Sequence, residues 1–279
     1  MGKIVAIGGG ENGHHNTKYE TAPFDKEIIK LTGKTNPKFL FIGLANKYPD
    51  YYFEVMDGIY GGMYNCQTDY LRYKEVKSKN IASSKIKDAD IIYVGGGNTY
   101  KLMRLFKLYG IDEMLAEAYN DDKVLCGVSA GAICWCDYGN SDSRTISSNS
   151  SDMIRVAGLG LIHILFAPHL IKESGRAESV RQMMKRTYKI PAVQLDNSAL
   201  EVVDDTYRVL TTGENSVAEK CYWKNGEYIR KSIICNEFRS LEELYEKTEL
   251  TNQKGAANYS SLNFYLFMLF CQHLWHMAM

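Results

Sequence analysis

Three times in this chain a short apolar run ends in a glycine-bearing turn, and that repeated pattern constrains the fold more than any other feature. Ile4 to Ile7 runs into Gly8-Gly9-Gly10, Ile91 to Val94 into Gly95-Gly96-Gly97, and Val124 to Val128 into Ser129 beside Gly131. Runs this short, bounded by turn residues, read as strands buried on both faces. Helix-period segments lie between them. The expectation is therefore an α/β fold with a mainly parallel sheet flanked by helices.

The remaining elements follow from the same periodicities. A helix is expected over Pro23 to Leu31, where Pro23 suits a first turn and Gly33 with Pro37 ends it. Phe39 to Ala45 reads as a buried strand, Asp50 to Tyr60 as a helix, and Cys66 to Tyr73 as an edge strand. Asn98 or Thr99 caps a helix bearing Leu102, Met103, Leu105 and Phe106, and Asp112 to Tyr119 forms another. A polar loop is expected from Asp137 to Asp152, then a short apolar run at Ile162 to Ala167, a helix over Arg176 to Lys185, and a strand over Ala192 to Leu195. Strands at Leu200 to Val203, Tyr207 to Leu210 and Val217 to Trp223 read as the antiparallel C-terminal edge of the same sheet. Asn225-Gly226 marks a hairpin from the last of these to Glu227–Ile229, because both central turn positions favour positive φ.

Residues 1–249 read as a single α/β domain and residues 250–279 as a C-terminal extension. Leu262 to Phe270 is apolar but far short of the roughly 20 residues that a spanning helix needs. Its functional reading is a docking helix or an oligomer contact, with a homodimer as one expectation; no membrane role is assigned. Lys+Arg and Asp+Glu both total 33, and the absence of a basic surplus argues against nucleic acid as a partner. The seven cysteines include no CxxC pair, and no signal-peptide pattern opens the chain, so reduced thiols and a cytoplasmic location are expected. Cys134 and Cys136 stand too close together for zinc without a second cluster, so no metal is expected.

The chemistry concentrates at Gly127-Val128-Ser129-Ala130-Gly131, a GxSxG turn between an apolar strand and a helix-like segment. Such a turn strains the backbone, pushes the serine oxygen out at the strand's C-terminal end and leaves backbone N–H groups for an oxyanion. A serine hydroxyl needs a base. Of the six histidines, His14 and His15 lie in a glycine-rich loop, His163 in a strand, and His273 and His276 in the extension. His169, just past a short strand and after Pro168, is the candidate base. The orienting carboxylate stays open among Asp196 at a strand end, Asp142 in the polar loop, and Glu201. The Gly95–Thr99 segment supplies further glycine N–H groups that can complete an oxyanion hole together with that of Ala130. Its spacing matches neither common phosphate-binding glycine pattern, and no cofactor is expected.

Together, IVAIGGG, FLFIGLA, IIYVGGGNTYKLM, GVSAGAICW and LGLIHILFAPHL resemble the aspartyl dipeptidase (peptidase E) and cyanophycinase family of serine peptidases, over roughly residues 3 to 230. The resemblance implies a class I glutamine amidotransferase-like fold, a flavodoxin-like three-layer arrangement in which a serine replaces the nucleophilic cysteine. It implies Ser129 as nucleophile, His169 as base, and Gly97 with Ala130 as oxyanion donors. It makes Asp196, in LDNSALEV, the counterpart of the family's strand-end acid. It also sets Asn98 and Arg176 at the substrate site, where a guanidinium can hold a substrate carboxylate; a solvent-facing helix arginine is the competing reading. The function expected is hydrolysis of dipeptides or short peptides, including those with an N-terminal acidic residue. The alternatives are a non-catalytic small-molecule binding module and an esterase or amidase with the same triad.

Overall fold

The computed structural model describes residues 2–13, 17–148, 150, 152–172, 175–213 and 215–245. The expectations for His14, His15, His273, His276 and the 250–279 extension lie outside the described residues.

Strands β1 (Lys3–Ile7), β2 (Lys38–Ile42), β3 (Gln67–Tyr70), β4 (Ile91–Val94) and β5 (Val124–Val128) form the parallel part of the first sheet, in the order β1-β5-β4-β2-β3. Helices α1 (Ala22–Leu31), α2 (Pro49–Asp57), α3 (Lys79–Asp88), α4 (Thr99–Tyr109) and α5 (Ile111–Asn120) make the crossovers. β1, β2, β4 and β5 are almost wholly apolar because both faces are covered, whereas the edge strand β3 is polar and largely exposed. In β1, Ile4 and Ala6 pack in the cluster containing α3, α4 and α5 residues, whereas Val5 and Ile7 pack in the cluster containing Phe24 and Ile28 of α1. Helix α4 starts where Asn98 Oδ1 accepts the Lys101 N–H at 2.9 Å, and it ends at Gly110 with φ +67°.

Beyond β5 the chain leaves this sheet. After α6 (Ala130–Ile133) come β6 (Cys136–Ser141), α7 (Ser143–Ser148), β7 (Ile154–Ala157), β8 (Ile162–Ala167), α8 (Arg176–Met184) and β9 (Ala192–Asp196). Strands β6 to β9 build a second sheet in which β8 runs parallel to β6 and β9, and β7 is an antiparallel edge. At Asn197 the chain returns to the first sheet: β10 (Ser198–Val203) pairs antiparallel with β1 and is followed outward by β11 (Thr206–Thr211). The hairpin β12 (Val217–Lys224) and β13 (Glu227–Ser232) joins the second sheet beside β9, and β14 (Arg239–Ser240) closes the first beyond β11.

Several expectations are corrected. The C-terminal strands do not share one sheet edge, because β12 pairs with β9 rather than with β11. Its alternating buried residues fit either edge, so periodicity alone does not choose between them. Asp137 to Asp152 is not a loop but holds β6 and α7; Asn140, Ser141 and Ser143 are buried there because their polar atoms find partners. Helix α2 stops at Asp57 and continues to Met63 as a wider π turn. Helix α3 carries so much polar sequence, with only Ala82 and Ile86 buried, that periodicity does not reveal it. No helix among the described residues is long and apolar enough to cross a membrane.

Candidate active site

The GxSxG glycines are packing devices. A Cβ on Gly131 would lie 1.8 Å from the carbonyl oxygen of Val94, and one on Gly127 would lie 2.4 Å from the same oxygen. Only glycine lets the elbow ride against the end of β4. Ser129 between them takes φ +55° and ψ −113°, a backbone state that costs a non-glycine residue of order 1–3 kcal/mol. It is held there because its N–H donates to Ile7 O at 3.2 Å while its carbonyl accepts from Ala132 and Ile133.

His169 hangs from the next carbonyl of the same strand end. Its N–H donates to Gly8 O at 2.8 Å, and it too has a positive φ, +55°. Successive carbonyls at the end of β1 thus anchor the serine and the histidine, which come from different sheets. The third residue arrives from β9. Asp196 is fully buried; its Oδ2 accepts the N–H groups of Ile171 at 2.7 Å and Lys172 at 3.2 Å, and its Oδ1 accepts that of Asn197 at 3.0 Å. These bonds clamp the loop after His169 onto the end of β9.

Gly9 marks where acid and imidazole converge. A Cβ there would lie 2.5 Å from Asp196 Oδ1 and 3.4 Å from His169 Nδ1. That nitrogen is buried and has no hydrogen-bond partner among the described residues, Asp196 included. Nor is Ser129 Oγ hydrogen-bonded to His169 among the described residues. Burial holds the His169 pKa below its ordinary value, and the nearby Arg176 charge pushes the same way; Asp196 and Asp142 oppose them.

The other candidates separate clearly. Asp142 is half-buried and lies close enough to act on His169 electrostatically. Glu201 is buried but belongs to an ion pair with Arg208 at 2.7 Å. His163 is on β8, exposed, and 3.3 Å from Asp137. Arg176 is 1 % exposed, which removes the solvent-facing reading; its Nη1 donates to Asn140 O at 2.6 Å and Oδ1 at 3.1 Å. Gly97 has φ +136°, and a Cβ there would lie 2.4 Å from Ala45 O. Asn98 spends Oδ1 on capping α4 and directs Nδ2 to Ser143 O at 3.2 Å, so it braces the Gly97 turn. Cys134 and Cys136 are buried thiols donating to the carbonyls of Gly131 and Ala132.

Two features escape motif reading. Gly8 and Gly9 read as a simple turn, although the end of β1 supplies the carbonyls that hold both Ser129 and His169. A buried hydroxyl cluster is the other: Ser141 Oγ lies 2.9 Å from Thr99 Oγ1 and 2.7 Å from Ser143 Oγ, and Ser143 Oγ accepts the Tyr100 N–H at 3.0 Å. It ties the start of α4 to the segment bearing Asp142. Scattered serines in a polar stretch give no signal of it.

A serine on a strained strand-to-helix turn, a histidine at a neighbouring strand end and a buried carboxylate beside it define the class of serine hydrolases on an α/β scaffold. The comparisons narrow that class. The chain belongs to peptidase family S51, whose profile matches residues 4–210, and it is a serine peptidase of the peptidase E type. It is 28% identical over 206 residues to the uncharacterized peptidase YgaJ of Bacillus subtilis strain 168, covering 74% of this chain and 85% of that one. Its fold resembles that of a peptidase from an acI-B1 actinobacterium, with a TM-score of 0.63 and 19% identity over 86% of this chain and 96% of the other. A candidate peptidase E of Listeria monocytogenes EGD-e superposes with a TM-score of 0.54 and 17% identity, covering 76% and 98% of the two chains.

Proposed function

We propose that Ser129, His169 and Asp196 hydrolyse dipeptides or short peptides bearing an N-terminal acidic residue. The reading rests chiefly on one observation: the strained serine and the histidine, whose buried Nδ1 has no partner among the described residues, hang from the consecutive carbonyls of Ile7 and Gly8 at the end of β1, with Asp196 Oδ1 crowding the same point beside Gly9. His169 takes the Ser129 proton as Oγ attacks the scissile carbonyl, then delivers it to the leaving amine. The acyl-enzyme so formed is hydrolysed by water activated through the same imidazole. Asp196, steadied by the N–H groups of Ile171, Lys172 and Asn197, fixes the tautomer and offsets the imidazolium charge. The N–H groups of Gly97 and Ala130 receive the oxyanion. Helix α6 has only four residues, so these individual donors matter more than a helix dipole.

Arg176 supports the acidic preference. Its positive charge acts on His169 from a buried position. A substrate carboxylate placed against it offsets that charge and favours protonation of His169 at the moment the base accepts the serine proton.

The test is covalent labelling of the intact protein with a fluorophosphonate, read by mass, with Ser129→Ala as control. The expected outcome is one adduct, on Ser129, with turnover of acidic dipeptides lost in the folded variant. An unlabelled, well-folded protein, or peptide hydrolysis that survives Ser129→Ala, would overturn the mechanism.

A further inference from the structure

A groove outside the catalytic centre runs between the edge strand β7 and helix α8. It has a volume of about 580 Å³, with Ile154 and Arg155 on the strand side and Ser179, Gln182, Met183 and Arg186 on the other. Those last four recur at helical spacing and form one stripe of α8 and the turn that follows it. The groove shares Ser179, Gln182 and Arg186 with an adjoining hollow that reaches Gly175, Arg144 and Asp152. The end at Gly175 is the residue before Arg176.

Three observations bear on what fills it. First, charge: Arg155, Lys185, Arg186 and Arg144 line the two hollows against the single carboxylate of Asp152, in a chain whose net charge is zero. Second, shape: among the described residues β7 pairs with β6 alone and is the last strand of its sheet, and such a strand edge is a surface along which an extended chain can lie. Third, connection: Ser179 Oγ accepts Asn140 Nδ2 at 2.9 Å, Asn140 O accepts Arg176 Nη1 at 2.6 Å, and Arg176 acts on His169. Arg155 is held in place, donating to Thr187 Oγ1 at 3.0 Å and lying 4.7 Å above the Tyr138 ring. Methionine and isoleucine between the cations suit a peptide with its apolar backbone carbons better than a polynucleotide.

We infer that this groove binds an acidic segment of a peptide substrate at a distance from the scissile bond, so that the enzyme favours peptides longer than a dipeptide and rich in carboxylates. The inference rests on the peptidase reading for its link to turnover, but not for binding itself. The two are therefore separable by experiment.

Full-length protein carrying Ser129→Ala is titrated with a fluorescent hexaglutamate peptide, and anisotropy is followed. Binding is expected, weakened by added salt and absent with hexaglutamine. The double substitution Lys185→Glu and Arg186→Glu, both at exposed positions, should weaken it about tenfold, as two lost exposed ion pairs predict. Arg144→Glu provides an independent second variant should the double one fail to fold. In the active enzyme, a peptide with an acidic extension should show a lower KM than the same peptide with a neutral one, and Arg186→Glu should erase that difference. Equal binding of hexaglutamine, unchanged binding in the folded variants, or stronger binding of a single-stranded oligonucleotide than of hexaglutamate would overturn the inference. Loss of labelling at Ser129 with hexaglutamate binding intact would overturn only the peptidase mechanism.

Discussion

Two buried aspartates show how differently this molecule holds a carboxylate. Asp25 on α1 is 2 % exposed, and Asp196 at the end of β9 is 0 % exposed. Asp25 is enclosed by side-chain hydroxyls: Tyr60 at 2.7 Å, Tyr19 at 2.9 Å and Thr21 at 3.1 Å. Tyr60 itself is wedged against Phe39, ring centroids 4.0 Å apart. Burial pushes the Asp25 carboxyl above the usual carboxylate range, although the three hydroxyls pull the other way. Asp196 is held by backbone N–H groups instead, all from its own turn and the loop after His169. Backbone donors occupy one rim of the carboxylate and aim the rest; side-chain hydroxyls from several directions surround it. The first arrangement leaves Asp196 Oδ1 facing the point where an unpartnered imidazole nitrogen also arrives. The second consumes Asp25 in packing.

This contrast can be broken most sharply at Asp196. Asp196→Asn should lower kcat/KM by about 10³–10⁴-fold, because the imidazole loses both its tautomer and its counter-charge. If Asp142→Asn produces that loss and Asp196→Asn does not, the orienting role moves to Asp142. At the other aspartate, Tyr60→Phe should leave kcat/KM unchanged and cost about 1–3 kcal/mol of stability by denaturant unfolding, since it removes a donor from a buried carboxylate. A variant that loses activity in proportion would show that the two regions are not independent.

The smallest effect concerns pH. His169 must be neutral to act as base, and burial with the Arg176 charge holds its pKa below the ordinary value of about 6.5. Activity should therefore persist as pH falls through that value and decline only below it. A kcat/KM profile whose acid limb has its midpoint at or above about 6.5 would show that the two carboxylates outweigh burial and Arg176.

Much of the scaffold was legible because its signals are local. A continuous apolar run bounded by glycine reads as a strand whichever protein it is in, and β1, β2, β4 and β5 all carry one. The elbow was legible for the same reason: Gly127, Ser129 and Gly131 are neighbours in sequence. Helix α3 was not, since tertiary contacts supply what its polar sequence lacks. The second sheet was not either. Whether β12 lies beside β9 or β11 depends on which edge its buried face meets, and that is decided by residues far away in the chain.

Sequence alone determined the GxSxG turn at Ser129, the glycine-ended strands around it and the histidine that follows the strand at Ile162–Ala167. Each of these depends on backbone conformations and side-chain sizes that adjacent residues impose. Tertiary structure decided that Ser129 and His169 share the end of β1, that Asp196 points to Gly9 while Glu201 pairs with Arg208, and that Arg176 is buried. Those outcomes depend on hydrogen bonds and close contacts made where strand ends of the two sheets meet or where strands pair, as Glu201 and Arg208 do across β10 and β11, and no local stretch of sequence dictates that placement.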